Sequence, residues 1–156
     1  AELIRQRTVY TGLFISPEEL YSRRQATLEK PIEHPHVTTA FKPSSEQLHL
    51  AQIGTGARIY AVGYGNNGEN EGLLVKIEAD DPEVQEACDA LETPHITLSI
   101  SKKGQAKNTA FLDFTPLEEP IELNGKYGLF VQGSVLQSQE DLSRLEDKLR
   151  RTPLYE

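Results

Sequence analysis

Polar and apolar residues alternate at the two-residue period of a strand from about Arg7 to Ile15, with Val9 and Thr11 on one side and Thr8 and Tyr10 on the other. Ser16 then offers a cap, Pro17 suits the first helical position, and Glu18 and Glu19 favour the first turn. A helix is predicted from Pro17 to about Glu29, with Leu20, Tyr21 and Leu28 as its apolar stripe. Pro31-Ile32-Glu33 breaks it, and a second strand runs from about His36 to Phe41. Residues 46–51 suit one short helical turn, and Gly54-Thr55-Gly56 a turn or bulge. Two strands, about 57–64 and 71–78, flank the turn Gly65-Asn66-Asn67-Gly68 and form a hairpin. A helix over 81–91 starts at Asp81-Pro82 and carries Val84, Ala87, Cys88 and Leu91 at helical spacing. Strands are predicted at about 95–101, 109–113, 121–123 and 127–135, with a basic loop over 102–108. The chain closes on an amphipathic helix over 138–150 with Leu142, Leu145 and Leu149 inward. This mixture of hairpins and helices is an α+β pattern in one domain spanning residues 1–156.

One part of the pattern occurs twice. Pro35-His36-Val37-Thr38-Thr39 and Pro94-His95-Ile96-Thr97-Leu98-Ser99 each put a His and a Thr two apart on a strand. Residues i and i+2 of a strand share a face. His36 and Thr38 therefore stand together, with Val37 and Thr39 opposite, and His95 and Thr97 stand together, with Ile96 and Leu98 opposite. The setting repeats as well. His36 follows the strand residue Gly12 by 24 positions, His95 follows Gly72 by 23, and a capped helix lies between in both cases. Strand, helix, His-x-Thr strand is thus written twice, predicting a two-lobed arrangement around a central cleft.

Composition narrows the possibilities. A chain of 156 residues with a 37% hydrophobic fraction supports one core. No apolar run approaches the roughly 20 residues that span a bilayer, and Ala1-Glu2-Leu3-Ile4-Arg5 lacks a signal-peptide core. The single Cys88 excludes a disulfide framework and favours a reducing, cytoplasmic home. A net charge of −8 without a basic block disfavours long nucleic acid, leaving room for a short nucleotide or an RNA end. A monomer without a membrane partner is expected.

Two imidazoles can divide acid and base work near neutral pH, one taking a proton while the other gives one. Hydroxyls beside them can hold the non-bridging oxygens of a phosphate. Neither role needs a metal or another cofactor. An ordinary hydrogen-bonded strand residue is the simpler reading of either His alone; the duplicated setting favours the paired role. Four His occur in all, without the spacing of a helical metal pair or a carboxylate cluster. His34 reads as a rim residue and His49 as a packed or exposed one. Lys42, Lys102, Lys103 and Lys107 follow the motif strands and either add positive potential or are solvated. Tyr10, Tyr127 and Phe130 are strand aromatics that suit base stacking or core packing.

With these two motifs the chain resembles the 2H phosphoesterase superfamily, named for two His-x-Thr/Ser motifs on strands of a duplicated, bilobal α+β fold. His95-Ile96-Thr97-Leu98 matches its pattern. His36-Val37-Thr38-Thr39 departs from it at Thr39, where an apolar residue is usual. The resemblance runs from the first strand to about Val135. It implies a phosphodiesterase opening a 2′,3′-cyclic phosphate or hydrolysing a small cyclic or 2′,5′-linked oligonucleotide. His36 and His95 are then the acid/base pair, in either order, and Thr38 and Thr97 the phosphate ligands. Lys42, Lys102 and Tyr127 are further substrate-binding candidates. RNA-end repair or joining at the same site, and a noncatalytic nucleotide-phosphate binding module, are the alternative readings.

Overall fold

The computed structural model describes residues 2–151. Its elements are α1 (Glu2–Arg7), β1 (Thr8–Ile15), α2 (Pro17–Arg23), β2 (Lys30–Pro31), β3 (His36–Phe41), β4 (Gly56–Asn66), β5 (Asn70–Ala79), α3 (Pro82–Asp89), β6 (His95–Ile100), β7 (Thr115–Val131), β8 (Ser134–Leu136) and α4 (Gln139–Arg151). Short 3-10 segments lie at Leu50–Gln52 and Ala106–Phe111. The α+β class is as expected, but the strands form one antiparallel sheet of eight rather than separate sheets. Its order is β2-β6-β5-β4-β7-β1-β3, with β8 beside β7. Among the described residues no helix is long and apolar enough to cross a membrane.

The start signals read from the sequence act as caps. The Ser16 hydroxyl accepts from the Glu19 amide at 3.3 Å, and the Asp81 carboxylate from the amides of Glu83 and Val84 at 2.9 and 3.0 Å. One sheet face, with Leu13, Val37, Ile59, Leu73, Ile96, Leu123 and Leu129, is fully buried. Leu20 of α2, Val84 and Cys88 of α3, and Leu142 of α4 join the same core.

Several expectations give way to tertiary contacts. α2 ends at Arg23, well before Glu29, because the following loop is drawn onto buried Glu71. The Thr27 amide and hydroxyl donate to that carboxylate at 2.8 and 2.9 Å, Ser99 donates at 2.6 Å, and Tyr64 donates as well. Burial alone would raise the Glu71 pKa; these hydrogen bonds outweigh it and hold the carboxyl below its usual value. The strand expected over 109–113 is the 3-10 segment Ala106–Phe111, which buries Thr109. The two strands expected over 121–123 and 127–135 are mostly one, β7, since both its sides find partners in β4 and β1. The unforeseen α1 buries Ile4, whose carbonyl accepts the Thr8 hydroxyl at 2.6 Å. A register shift between Thr8 and Tyr10 leaves Val9 exposed and buries Thr8 with Thr11, so the simple alternation breaks there.

The order places β3 and β6 near opposite ends of the sheet, yet their Cα atoms approach within 8 Å. The sheet therefore curls and brings the two motif strands back together. Glycine makes the local pairing possible. A Cβ at Gly12 would stand 2.5 Å from the Val37 carbonyl oxygen, and one at Gly72 2.8 Å from that of Ile96 and 2.3 Å from the Thr109 methyl. Gly12→Ala and Gly72→Ala are each expected to cost about 1–3 kcal/mol of stability, as overpacking does. Urea denaturation checks this, and an unchanged midpoint for both variants would contradict it.

Candidate active site

The burial pattern of each motif is a buried residue between two half-buried ones: Val37 between His36 and Thr38, Ile96 between His95 and Thr97. Strand alternation thus turns both His-Thr pairs away from the core. The register of the two pairings is the same. Gly12, Leu13 and Phe14 stand opposite Thr38, Val37 and His36. Gly72, Leu73 and Leu74 stand opposite Thr97, Ile96 and His95. Both ladders slip by one residue just before the glycine, between Thr11 and Gly12 and between Glu71 and Gly72. The slip leaves Thr39 and Leu98 as the extra residues. This accounts for the polar Thr39: its hydroxyl lies 2.6 Å from that of Thr11 on the neighbouring strand.

The imidazoles are held alike. His36 Nδ1 lies 2.8 Å from the carbonyl oxygen of His34, and His95 Nδ1 lies 2.7 Å from that of Thr93. A carbonyl oxygen only accepts, so Nδ1 carries the proton in both rings. In the neutral form each Nε2 then keeps its lone pair for proton exchange. The preceding prolines repeat too: the Pro35 carbonyl accepts from the Ile15 amide and the Pro94 carbonyl from the Val75 amide, both at 3.0 Å.

The halves differ in what surrounds the motifs. Tyr10 stacks on the His36 ring with centroids 4.3 Å apart and an interplanar angle of 22°. Phe130 and Phe14 stack on Tyr10 in turn, at 5.1 and 5.9 Å. Burial pulls the His36 pKa below its ordinary value; the His34 carbonyl opposes this, and charge on His95 and on His34 adds to it. In the other half, the Thr97 hydroxyl donates to Thr109 at 2.8 Å, and the buried Asn70 amide donates to the same Thr109 oxygen at 2.9 Å. Thr38 makes no side-chain hydrogen bond among the described residues.

The remaining candidates are dispersed. Lys42 follows β3 with a positive φ of 47°, its ammonium 5.5 Å from the exposed Phe41 ring. Lys102 lies in the turn after β6, 80% exposed and 3.9 Å from Glu29. Tyr127 is a correction. Its side chain is fully buried on the core face opposite Leu13, where its hydroxyl accepts from the His49 amide at 3.3 Å, so it has no surface left for a substrate. His34 sits at the rim near Glu33 and Phe130. His49 pairs with Glu83 at 3.1 Å. Cys88 is buried, which pushes its thiol up to about 11. Asn70, Thr109 and Phe14 escaped the sequence reading. Asn70 precedes Gly72 by two, as Tyr10 precedes Gly12, so the repeat did contain a signal for it; Thr109, read as the start of a strand over 109–113, offered none.

Beside the His36 half opens a groove of about 720 Å³, lined among others by Phe14, His34, Pro35, Asn124 and Lys126. Among the described residues no group of three or more His, Cys, Asp or Glu is placed to hold a metal ion. Comparison with protein-family models finds no match, and comparison with curated proteins finds no significant relative.

Proposed function

We propose that this chain is a metal-independent phosphodiesterase of the 2H type, acting on a 2′,3′-cyclic phosphate or a small cyclic or 2′,5′-linked oligonucleotide. The supporting observation is the pair of identically held imidazoles: both Nδ1 atoms are tied to the carbonyl two residues back, leaving both Nε2 atoms for chemistry. Each has a hydroxyl two residues on, on the same strand face.

Burial favours neutral His36, so it is the base. Its Nε2 takes a proton from water as the water oxygen bonds to phosphorus. The bond from phosphorus to the leaving ribose oxygen breaks, and protonated His95 supplies the proton that oxygen needs. Hydroxyls of Thr38 and Thr97 donate to the non-bridging oxygens as charge builds on them. Thr97 does so by turning its hydroxyl from Thr109 toward the phosphate. The net charge of −8 disfavours a long polyanion and so favours a short substrate.

His36→Ala and His95→Ala are each expected to lower kcat by about 10²–10⁴-fold on a panel of cyclic phosphates and short oligonucleotides, the range of general acid/base catalysis. EDTA is expected to leave turnover unchanged. A protein that binds the panel without forming product would be a noncatalytic module, and undiminished turnover in the double variant would remove the proposal. Thr38→Val and Thr97→Val should each cost about 10²–10³-fold in kcat, as lost oxyanion donors do.

The pH profile tests the assignment of base. A base must be unprotonated, so the acidic limb of kcat/KM follows the His36 pKa. Since that pKa is lowered, the limb should fall below the ordinary imidazole value of about 6.5. A limb at or above that value would assign the base elsewhere.

A further inference from the structure

The two halves share a backbone plan but place different residues two positions before the motif glycine: Tyr10 in one, Asn70 in the other. Tyr10 pairs with Phe41 across β1 and β3 as Asn70 pairs with Ile100 across β5 and β6. Their side chains support different parts of the site. Tyr10 lies flat against the His36 imidazole, with its hydroxyl 3.3 Å from Nδ1. Asn70 donates to the Gln105 carbonyl at 2.7 Å and to Thr109, and so reaches Thr97. One half braces its histidine, the other its threonine. Among the described residues no aromatic ring stacks on His95.

We propose that Tyr10 is a positioning residue that fixes the plane and the partly shielded setting of His36, and thereby makes the two motif imidazoles chemically unequal. This rests on the two-histidine reading above and deepens it. His36 is the end plate of a stack whose inner plates are Tyr10 and Phe130, the latter pair only 9° from parallel. Such a stack fixes the ring plane, while the His34 carbonyl fixes rotation within that plane. Together they aim Nε2. The Nδ1 proton already serves the His34 carbonyl at 2.8 Å, so the longer 3.3 Å approach of the Tyr10 hydroxyl adds little. The ring is the working part. Burial pushes the Tyr10 phenol up to about 12, so it brings no charge to the site at working pH.

The titratable groups around His36 are Tyr10 from β1, His34 from the loop before β3, and His95 from β6. β7 presents Phe130 through Tyr10, with Lys126 farther along opposite Phe14. No carboxylate accepts from the His36 ring among the described residues. Removing the Tyr10 ring therefore has one dominant electrostatic result. More water reaches the half-buried imidazole, the charged form gains hydration, and the His36 pKa rises toward its ordinary value.

The test compares Tyr10→Phe and Tyr10→Leu in the full chain, by the pH dependence of kcat/KM and by NMR titration of the His36 ring protons. Tyr10→Phe keeps the stack and should stay within a few-fold of the parent with the same acidic limb. Tyr10→Leu should lose about 10–100-fold in kcat, the scale of a small misplacement of a reacting group, with the acidic limb and the NMR midpoint both moved to higher pH. Asn70→Ala should lower kcat without moving either. If Tyr10→Leu does not fold, Phe130→Leu should shift the midpoint in the same direction by less. Unmoved midpoints in Tyr10→Leu and Phe130→Leu overturn the proposal. If the parent protein turns over nothing on the panel while the midpoint still moves, the phosphodiesterase reading fails and the bracing of His36 by Tyr10 stands.

Discussion

In each half of this molecule a carbonyl oxygen lies where a side chain on the neighbouring strand would have to stand. The Val37 carbonyl occupies that place at Gly12 and the Ile96 carbonyl at Gly72. Strands this close can stay paired only if the neighbour has no Cβ. The close approach accompanies the one-residue slip in the ladder, and the slip decides which residues of the motif strand face which way. A register error of one would turn His36 and Thr38 into the core and bring Val37 out. The carbonyl bonds at Nδ1 and the common tautomer of the two rings follow from that register. The chemistry of the imidazoles is thus decided by two residues that carry no chemistry themselves.

Much of this was legible from the chain. The His-x-Thr pairs, the glycines upstream and the Ser16-Pro17 and Asp81-Pro82 starts all belong to short-range rules, and all appear where local pattern put them. What was not legible depends on contacts between distant segments. Nothing near Arg23 says that a helix must stop there; the reason is the Glu71 carboxylate, which captures Thr27 from across the sheet. Nothing in the stretch read as a strand over 109–113 says that Thr109 must coil into a 3-10 segment; buried Asn70, which donates to its hydroxyl, holds it there. Tyr127 failed for a different cause. A strand aromatic suits either face equally well, and only the pairing of β7 with β1 decides that this one stands opposite Leu13 in the interior while Phe130 turns toward Tyr10.

The two motif units share a backbone register and differ in the side chains around it. Where the first half has Thr11, with its hydroxyl on Thr39, the second has Glu71, with Ser99, Tyr64 and Thr27 gathered around it. Where the first has an aromatic stack, the second has an amide and a hydroxyl. The divergence lies just behind the motif residues, at positions that touch His36 or reach Thr97 without altering the strand plan. On the proposed phosphodiesterase reading this inequality matters, because two identical imidazoles in identical settings would have no preferred division of labour.

The segment that Glu71 captures has a further meaning. It leaves α2 in the first half, lays β2 against β6 of the second, and returns to begin β3. Each half is thereby laced to the other by main chain as well as by side-chain packing. The lacing runs one way, since the matching link from α3 to β6 spans only residues 90–94 and carries no strand. Loosening the hold of Glu71 on Thr27 would therefore unseat a strand at the edge beside β6 while leaving the link between α3 and β6 untouched.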